Sequence, residues 1–177
     1  MGKWVPGFTV GIDLFYVVTE NFIRADFVPP ATFTMINSDE KVEGGGGEVW
    51  GQYQMTDTLR LLANYGFLQY HENGVANEAS PKHKVNVGFL MNDPRYLSGA
   101  LIYRFIDDTN WPFRGGPDAS PEQQKYYSVD LLLTYLFTPN LGTRLEIYNL
   151  TDRKRRELPL LGEEIRREVV FTLTYRI

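Results

Sequence analysis

The 177-residue sequence predicts an all-β fold, an antiparallel up-and-down meander of about eight strands. Three observations predict it. Apolar and polar residues alternate with period two along most of the chain, and no segment of helical length carries a 3.6-residue period. Turn-forming clusters separate the alternating runs, and short connections alternate strictly with long ones.

The strands follow in order. Phe8–Val18 is the first, and a second runs over about Gly46–Met55. In Leu59–Phe67, Leu59, Leu61, Ala63, Tyr65 and Phe67 alternate with Arg60, Leu62, Asn64 and Gly66, which gives one strand two unlike faces. Lys82–Met91 and Tyr96–Ile106 fit less cleanly. Tyr127–Phe137 repeats the clean split, with Val129, Leu131 and Leu133 on one face and Ser128, Asp130 and Thr134 on the other. Gly142–Leu150 and Val169–Ile177 complete the set. Thr56-Asp57-Thr58, Asn92-Asp93-Pro94-Arg95 and Thr138-Pro139-Asn140 are tight turns, whereas 24–43, 73–81, 107–124 and 151–165 are long polar connections. That alternation puts the short turns at one end of the sheet and the long loops at the other, as in transmembrane β-barrels with short periplasmic turns and long extracellular loops.

Composition sets further bounds. The length fits one domain at about 150 residues each, so 1–177 is read as a single β-barrel segment. With 18 basic and 22 acidic residues the net charge is −4, without the basic excess of a nucleic-acid-binding groove. Zero cysteines exclude a disulfide framework and a thiol nucleophile. No apolar run reaches the roughly 18 residues of a membrane helix, and Asp13 interrupts the only stretch near the amino terminus that resembles a leader.

The two faces predict two environments. One row carries Asp13, Glu48, Arg60, Lys84, Arg104, Asp130, Arg144, Glu146 and Arg176, too many charges for a dry core. The other carries Tyr53, Tyr135, Phe137 and Tyr175 toward the short turns and Tyr103, Phe105 and Tyr127 toward the long loops, the pattern of two aromatic girdles around a lipid-facing band.

Several segments then resemble one family. Leu145-Glu146-Ile147-Tyr148-Asn149-Leu150-Thr151-Asp152-Arg153-Lys154, followed by Leu158-Pro159, Gly162 and the closing Phe171-Thr172-Leu173-Thr174-Tyr175-Arg176-Ile177, resembles the carboxyl end of a TonB-dependent outer-membrane receptor. Asp13-Leu14-Phe15-Tyr16, Gly46-Gly47-Glu48-Val49, the stretch Thr56-Asp57 with Leu59-Arg60-Leu61-Leu62-Ala63-Asn64-Tyr65, and Ser80-Pro81-Lys82-His83-Lys84 resemble its strands in the family's order. Two departures stand out: Ile177 ends the chain where the family has an aromatic residue, and Pro159-Leu160-Leu161-Gly162-Glu163 replaces its shorter turn before the last strand.

The resemblance implies a carboxyl-terminal barrel portion, with the plug domain absent from these residues, in the Gram-negative outer membrane. It implies energised uptake of a scarce nutrient such as a ferric siderophore, with outer-membrane lipid, lipopolysaccharide and the TonB complex as partners. Neither catalysis nor a cofactor is implied. The alternative is an independent small eight-stranded barrel with a structural or adhesive role, which requires the first and last strands to pair.

Candidate chemistry lies in the long loops. Trp111, Phe113 and Arg114, with Arg153, Arg155 and Arg156, can receive an anionic aromatic ligand through cation–π contacts and charge-assisted hydrogen bonds. His71 and His83 flank 73–81 symmetrically, so a plain hairpin would set them opposite one another; two histidines fall short of a metal site, and none is assigned. Gly44-Gly45-Gly46-Gly47 lacks the Lys-Ser/Thr of a phosphate loop and is read as a flexible start to a strand. Ser98, Ser128 and Asp130 share a row without a histidine, so no Ser-His-Asp site is assigned.

Overall fold

The computed structural model describes residues 7–28, 32–93, 95–110, 122–154 and 163–177. Among them thirteen strands appear: β1 (Phe8–Thr19), β2 (Ile23–Val28), β3 (Thr32–Asn37), β4 (Val42–Gln54), β5 (Leu59–Glu72), β6 (Val75–Asn77), β7 (His83–Asn92), β8 (Leu97–Ile106), β9 (Thr109–Asn110), β10 (Glu122–Gln123), β11 (Tyr126–Leu136), β12 (Leu141–Tyr148) and β13 (Glu168–Tyr175). Eight of them form one antiparallel wall in the order β1-β4-β5-β7-β8-β11-β12-β13, and these are the eight that the alternation predicts. β1 and β13 do not pair, so among the described residues the sheet stays open and the small closed barrel is not formed.

Short turns are closed by their own side chains. The Thr56 hydroxyl accepts from the Leu59 amide at 3.0 Å, and Thr138 repeats the arrangement with Leu141 at 3.0 Å. In the third turn the Asp93 carboxylate accepts from the Arg95 amide at 2.9 Å. Each spares a backbone N–H from standing unpaired where the chain reverses.

Three expectations need correction. The first long connection holds the β2–β3 hairpin, with Ala25 opposite Met35 and Phe27 opposite Phe33. Within 73–81, Asn73 (φ 51°) and Gly74 (φ 78°) make a two-residue turn with both central residues left-handed, and β6 folds back on β5. That turn occupies the top of β5, so His71 faces Ala76 while His83 faces Phe67, four positions or about 13 Å along the strand from His71. Gly44–Gly47, finally, lie inside β4 and are paired on both sides, to β1 and to β5, instead of forming a flexible start.

The register keeps the two faces separate from strand to strand. Ile12, Val49, Tyr65, Val85, Phe105 and Tyr127 line up across six strands on one face; Asn64, Asn86, Arg104 and Ser128 do so on the other. A one-residue slip anywhere would have mixed them.

Burial is inverted relative to a water-soluble domain. Leu14 is 83% exposed and Phe171 67%, whereas Asp130 is 3% exposed and Asn149 1%. Among the described residues Tyr126 is the one buried apolar side chain, and no second sheet covers the apolar row.

Candidate functional site: the polar wall and the long-loop rim

On the polar face, side chains link one strand to the next. The Trp50 indole N–H donates to Asp13 at 3.3 Å, Asn64 donates to Glu48 at 2.7 Å, and Asn86 donates to the Asn64 carbonyl oxygen at 2.8 Å. Asn86 stands opposite Arg104, which forms an ion pair with Asp130. Charge and amide groups thus run from β1 to β11, a face able to meet water or a polar occupant. Within it, Trp50, Leu62, Leu90 and Ile102 border an apolar hollow of about 340 Å³ over Gly88.

Asp130 also anchors the last long loop, because its second oxygen accepts from the Asn149 amide at 2.9 Å. Asn149, left-handed at φ 53°, directs its side chain back into the loop: its amide nitrogen donates to the Arg153 carbonyl at 2.9 Å and its oxygen accepts from the Arg153 amide at 3.2 Å. The Leu150 amide donates to the Val129 carbonyl at 2.7 Å, which fixes the turn against β11. The segment singled out as resembling a family motif is therefore a structural clasp whose central asparagine is fully buried.

Its product is the placement of Arg153. The guanidinium carbon lies 4.7 Å from the centroid of the Tyr127 ring, and Tyr127 stacks on Tyr103 at 6.2 Å. Both tyrosines belong to the apolar row. Of the six predicted ligand contacts, Arg153 is the one among the described residues; Trp111, Phe113, Arg114, Arg155 and Arg156 lie outside them. At the rim beside it, Glu78, Lys82, Asp107, Asp108 and Lys125 join Arg153 around a hollow of about 480 Å³.

Of the two histidines, His83 packs against rings of β5. His83 shares a 2.7 Å hydrogen bond between Nδ1 and the Tyr65 hydroxyl, stacks on the Tyr65 ring and meets the Phe67 ring at a tilt of 42°. Among the described residues no group of three or more potential ligands is placed to hold a metal ion. Ser98, Ser128 and Asp130 stand on the polar face, the histidines on the apolar one, so these residues are not brought together. Lys41 sits just before β4, 2.9 Å from Glu43; the hydrogen bond to that carboxylate, and then its charge, hold the Lys41 ammonium above its ordinary pKa.

Comparisons with known proteins agree with this geometry. The family model described as TonB dependent receptor-like, beta-barrel matches residues 3–150. No curated protein matches the sequence. Among solved structures, the pyoverdine outer membrane receptor FpvA from Pseudomonas aeruginosa PAO1 is similar with a TM-score of 0.76 at 15% identity, over 96% of this chain and 27% of that one. The ferric-catecholate import receptor Fiu from K12 E. coli gives 0.71 at 16% identity, over 96% and 25%, and the copper transporter OprC gives 0.71 at 13%, over 97% and 29%. At these identities the likeness is one of fold. The chain spans about a quarter of the length of these receptors and transporters. With an antiparallel β-sheet wall and a family match over most of its length, the chain belongs to the TonB-dependent receptor-like β-barrel family.

Proposed function

We propose that residues 1–177 act as one segment of the wall of a receptor in the Gram-negative outer membrane, which takes up a scarce nutrient such as a ferric siderophore. TonB energises uptake through a plug domain supplied by chain outside these residues. The observation that carries this reading is the inverted burial: among the described residues, an apolar row that no other element covers, with Leu14, Tyr65, Phe89, Leu101 and Phe171 exposed, backed by a hydrogen-bonded polar row. An apolar row of this kind suits hydrocarbon, and the polar row suits a lumen occupied by water and protein. Trp111, Phe113, Arg114, Arg155 and Arg156 are the proposed ligand contacts in the long loops. Arg153, beside a ring of the apolar row, belongs with the lipid-facing side. The siderophore receptors among the neighbours support the choice of cargo, while the copper transporter shows that the fold accommodates others.

Paired arginine substitutions at adjacent positions of β11 test the reading. Leu131 lies on the apolar row and Leu132 on the polar one. Leu131→Arg should block membrane assembly, at a cost of about 2–4 kcal/mol near the midplane, and abolish uptake of radiolabelled ferric siderophore by iron-starved cells. Leu132→Arg should assemble, and its uptake should vanish only in cells lacking TonB. Equal assembly of the two variants, or a wild-type chain that stays folded and monomeric in plain buffer, would overturn the proposal.

A further inference from the structure

We infer that Arg104 is a positioning residue for the last long loop: its charge, acting through Asp130, keeps the Asn149 clasp closed. The inference joins the polar face of β8 to the loop that carries Arg155 and Arg156, and it rests on the proposed function only for what that loop captures. Three observations carry it. Asp130 is 3% exposed and gives its two oxygens to different partners, one to the ion pair with Arg104 and the other to the Asn149 amide at 2.9 Å. Asn149, 1% exposed, in turn holds both the amide and the carbonyl of Arg153. The Asp152 amide donates to the Asn149 carbonyl at 2.8 Å, and the Asp152 carboxylate accepts from the Arg167 amide at 2.9 Å, so the same clasp reaches the far end of the loop at the entry to β13.

A carboxylate this enclosed needs a cation beside it to stay charged in place. Arg104 is that cation. The residues directly opposite it, Asn86 on β7 and Ser128 on β11, are uncharged, and no other ion pair among the described residues includes Asp130. Once the guanidinium is gone, one N–H from Asn149 cannot compensate the buried charge, and the carboxylate gains by turning toward water. That turn breaks its bond to Asn149 and loosens the loop. The Arg104 side chain is 41% exposed on the polar face, so a charge standing on that face is read at the loop, and by reciprocity a pull on the loop weakens the ion pair.

The test uses the full chain in detergent micelles with a single nitroxide label read by electron paramagnetic resonance. The sequence holds no cysteine, so Lys154→Cys, at an exposed position just past the clamped Arg153, gives one labelling site; it forfeits only an exposed contact with Glu164 at 3.7 Å, which contributes little. Asn149→Ala, which cuts the clamp on Arg153 itself, marks the freed loop. Arg104→Gln should raise the mobile fraction of the label by about fivefold, the equilibrium equivalent of one hydrogen bond, and Arg104→Lys, which keeps the charge, should stay near wild type. Asp130→Asn separates positioning from packing. Its neutral amide still accepts from Asn149 and has no charge to hydrate, so it should remain well below the Asn149→Ala level, and adding Arg104→Gln should leave the label unmoved. Loss of a merely structural contact would instead loosen the loop alike in both backgrounds. Strand circular dichroism of each variant reports its folding. An unmoved label in Arg104→Gln, equal loosening in the two backgrounds, or an Asp130→Asn loop as free as that of Asn149→Ala would overturn the inference. Neither ligand nor TonB enters the measurement, so its outcome is separate from the uptake that tests the proposed function.

Discussion

The two ends of the wall stabilise the same polar row by opposite means. In β1–β4–β5 the row is rich in glycine, and large side chains lie over the bare backbone. Trp50 covers Gly11, where an added Cβ would stand 2.4 Å from the indole; Phe15 covers Gly46, and Tyr70 borders Gly44. In β8–β11–β12 the row is polar, with Ser128 and Asp130 buried, and Asp130 joins half-exposed Arg104 to buried Asn149 just past β12 in one network. The first end packs against backbone and tolerates exposure on both faces; the second encloses charge and must satisfy it. Hence the first should be sensitive to volume and the second to hydrogen-bonding groups. The long loop that places Arg153 is anchored at the second.

The largest effect should follow from Asp130→Ala, which leaves Arg104 without its carboxylate and the Asn149 amide without its acceptor. Removing one partner of a buried pair costs about 3–5 kcal/mol, and the 41% exposure of the Arg104 side chain places this case near the lower figure. Asp130→Asn keeps an acceptor for Asn149 and should lose less. Urea unfolding in detergent micelles measures both, and equal losses would show that the network contributes charge alone.

A smaller effect separates two glycines of the first region. Gly46 and Gly66 both lie on the polar row, yet a Cβ at Gly46 would fall 2.3 Å from the Phe67 carbonyl oxygen and 2.8 Å from the Phe15 ring, whereas at Gly66 it would meet nothing within 4 Å. Gly46→Ala should therefore cost about 1–3 kcal/mol. Gly66→Ala should be neutral or stabilise by about 0.5 kcal/mol, since alanine narrows the unfolded ensemble. The same unfolding curves decide it, and indistinguishable midpoints would end the account of β4 as a strand thinned to admit aromatic rings.

How much of this was legible in the sequence follows from which interactions are local. The eight wall strands were, because each turns successive residues to opposite faces of the sheet, one apolar and one polar, and so writes a period of two. The β6 hairpin carried the strongest short hairpin signal, Asn73-Gly74, but the polar loop around it concealed the signal, and with it the true register of His71 and His83. Gly44–Gly47 misled for a physical reason: a run of glycines shows no alternation, although the rings nearest two of them, Tyr16 at Gly45 and Phe15 at Gly46, come from the neighbouring strand. For the site, parity predicts direction only while the chain stays extended. It fails beyond Tyr148, where left-handed Asn149 and Asp152 reset the chain, so the side on which Arg153 emerges was not legible. The other five predicted ligand contacts fall in loops outside the described residues.

The smallest effect concerns an ion pair at the rim of the first region, the exposed counterpart of Arg104–Asp130. Lys41 lies 2.9 Å from Glu43, which also accepts from the Tyr16 hydroxyl at 3.3 Å. The Lys41 pKa is raised by that carboxylate, through the hydrogen bond first and the charge second. For a base whose folded pKa exceeds its unfolded one, the stabilisation is complete below the unfolded value and is lost as pH rises through the folded value. Its loss therefore belongs to the alkaline range above the ordinary lysine pKa, and neutral pH leaves the pair intact. Both partners stand in water, where salt screens them, so Glu43→Gln should lower the Lys41 pKa toward the ordinary value and barely move the unfolding midpoint. Side-chain nitrogen NMR of Lys41 across that range checks the first half, and urea unfolding checks the second. A midpoint shift as large as that of Asp130→Ala would erase the distinction between the exposed pair and the enclosed one.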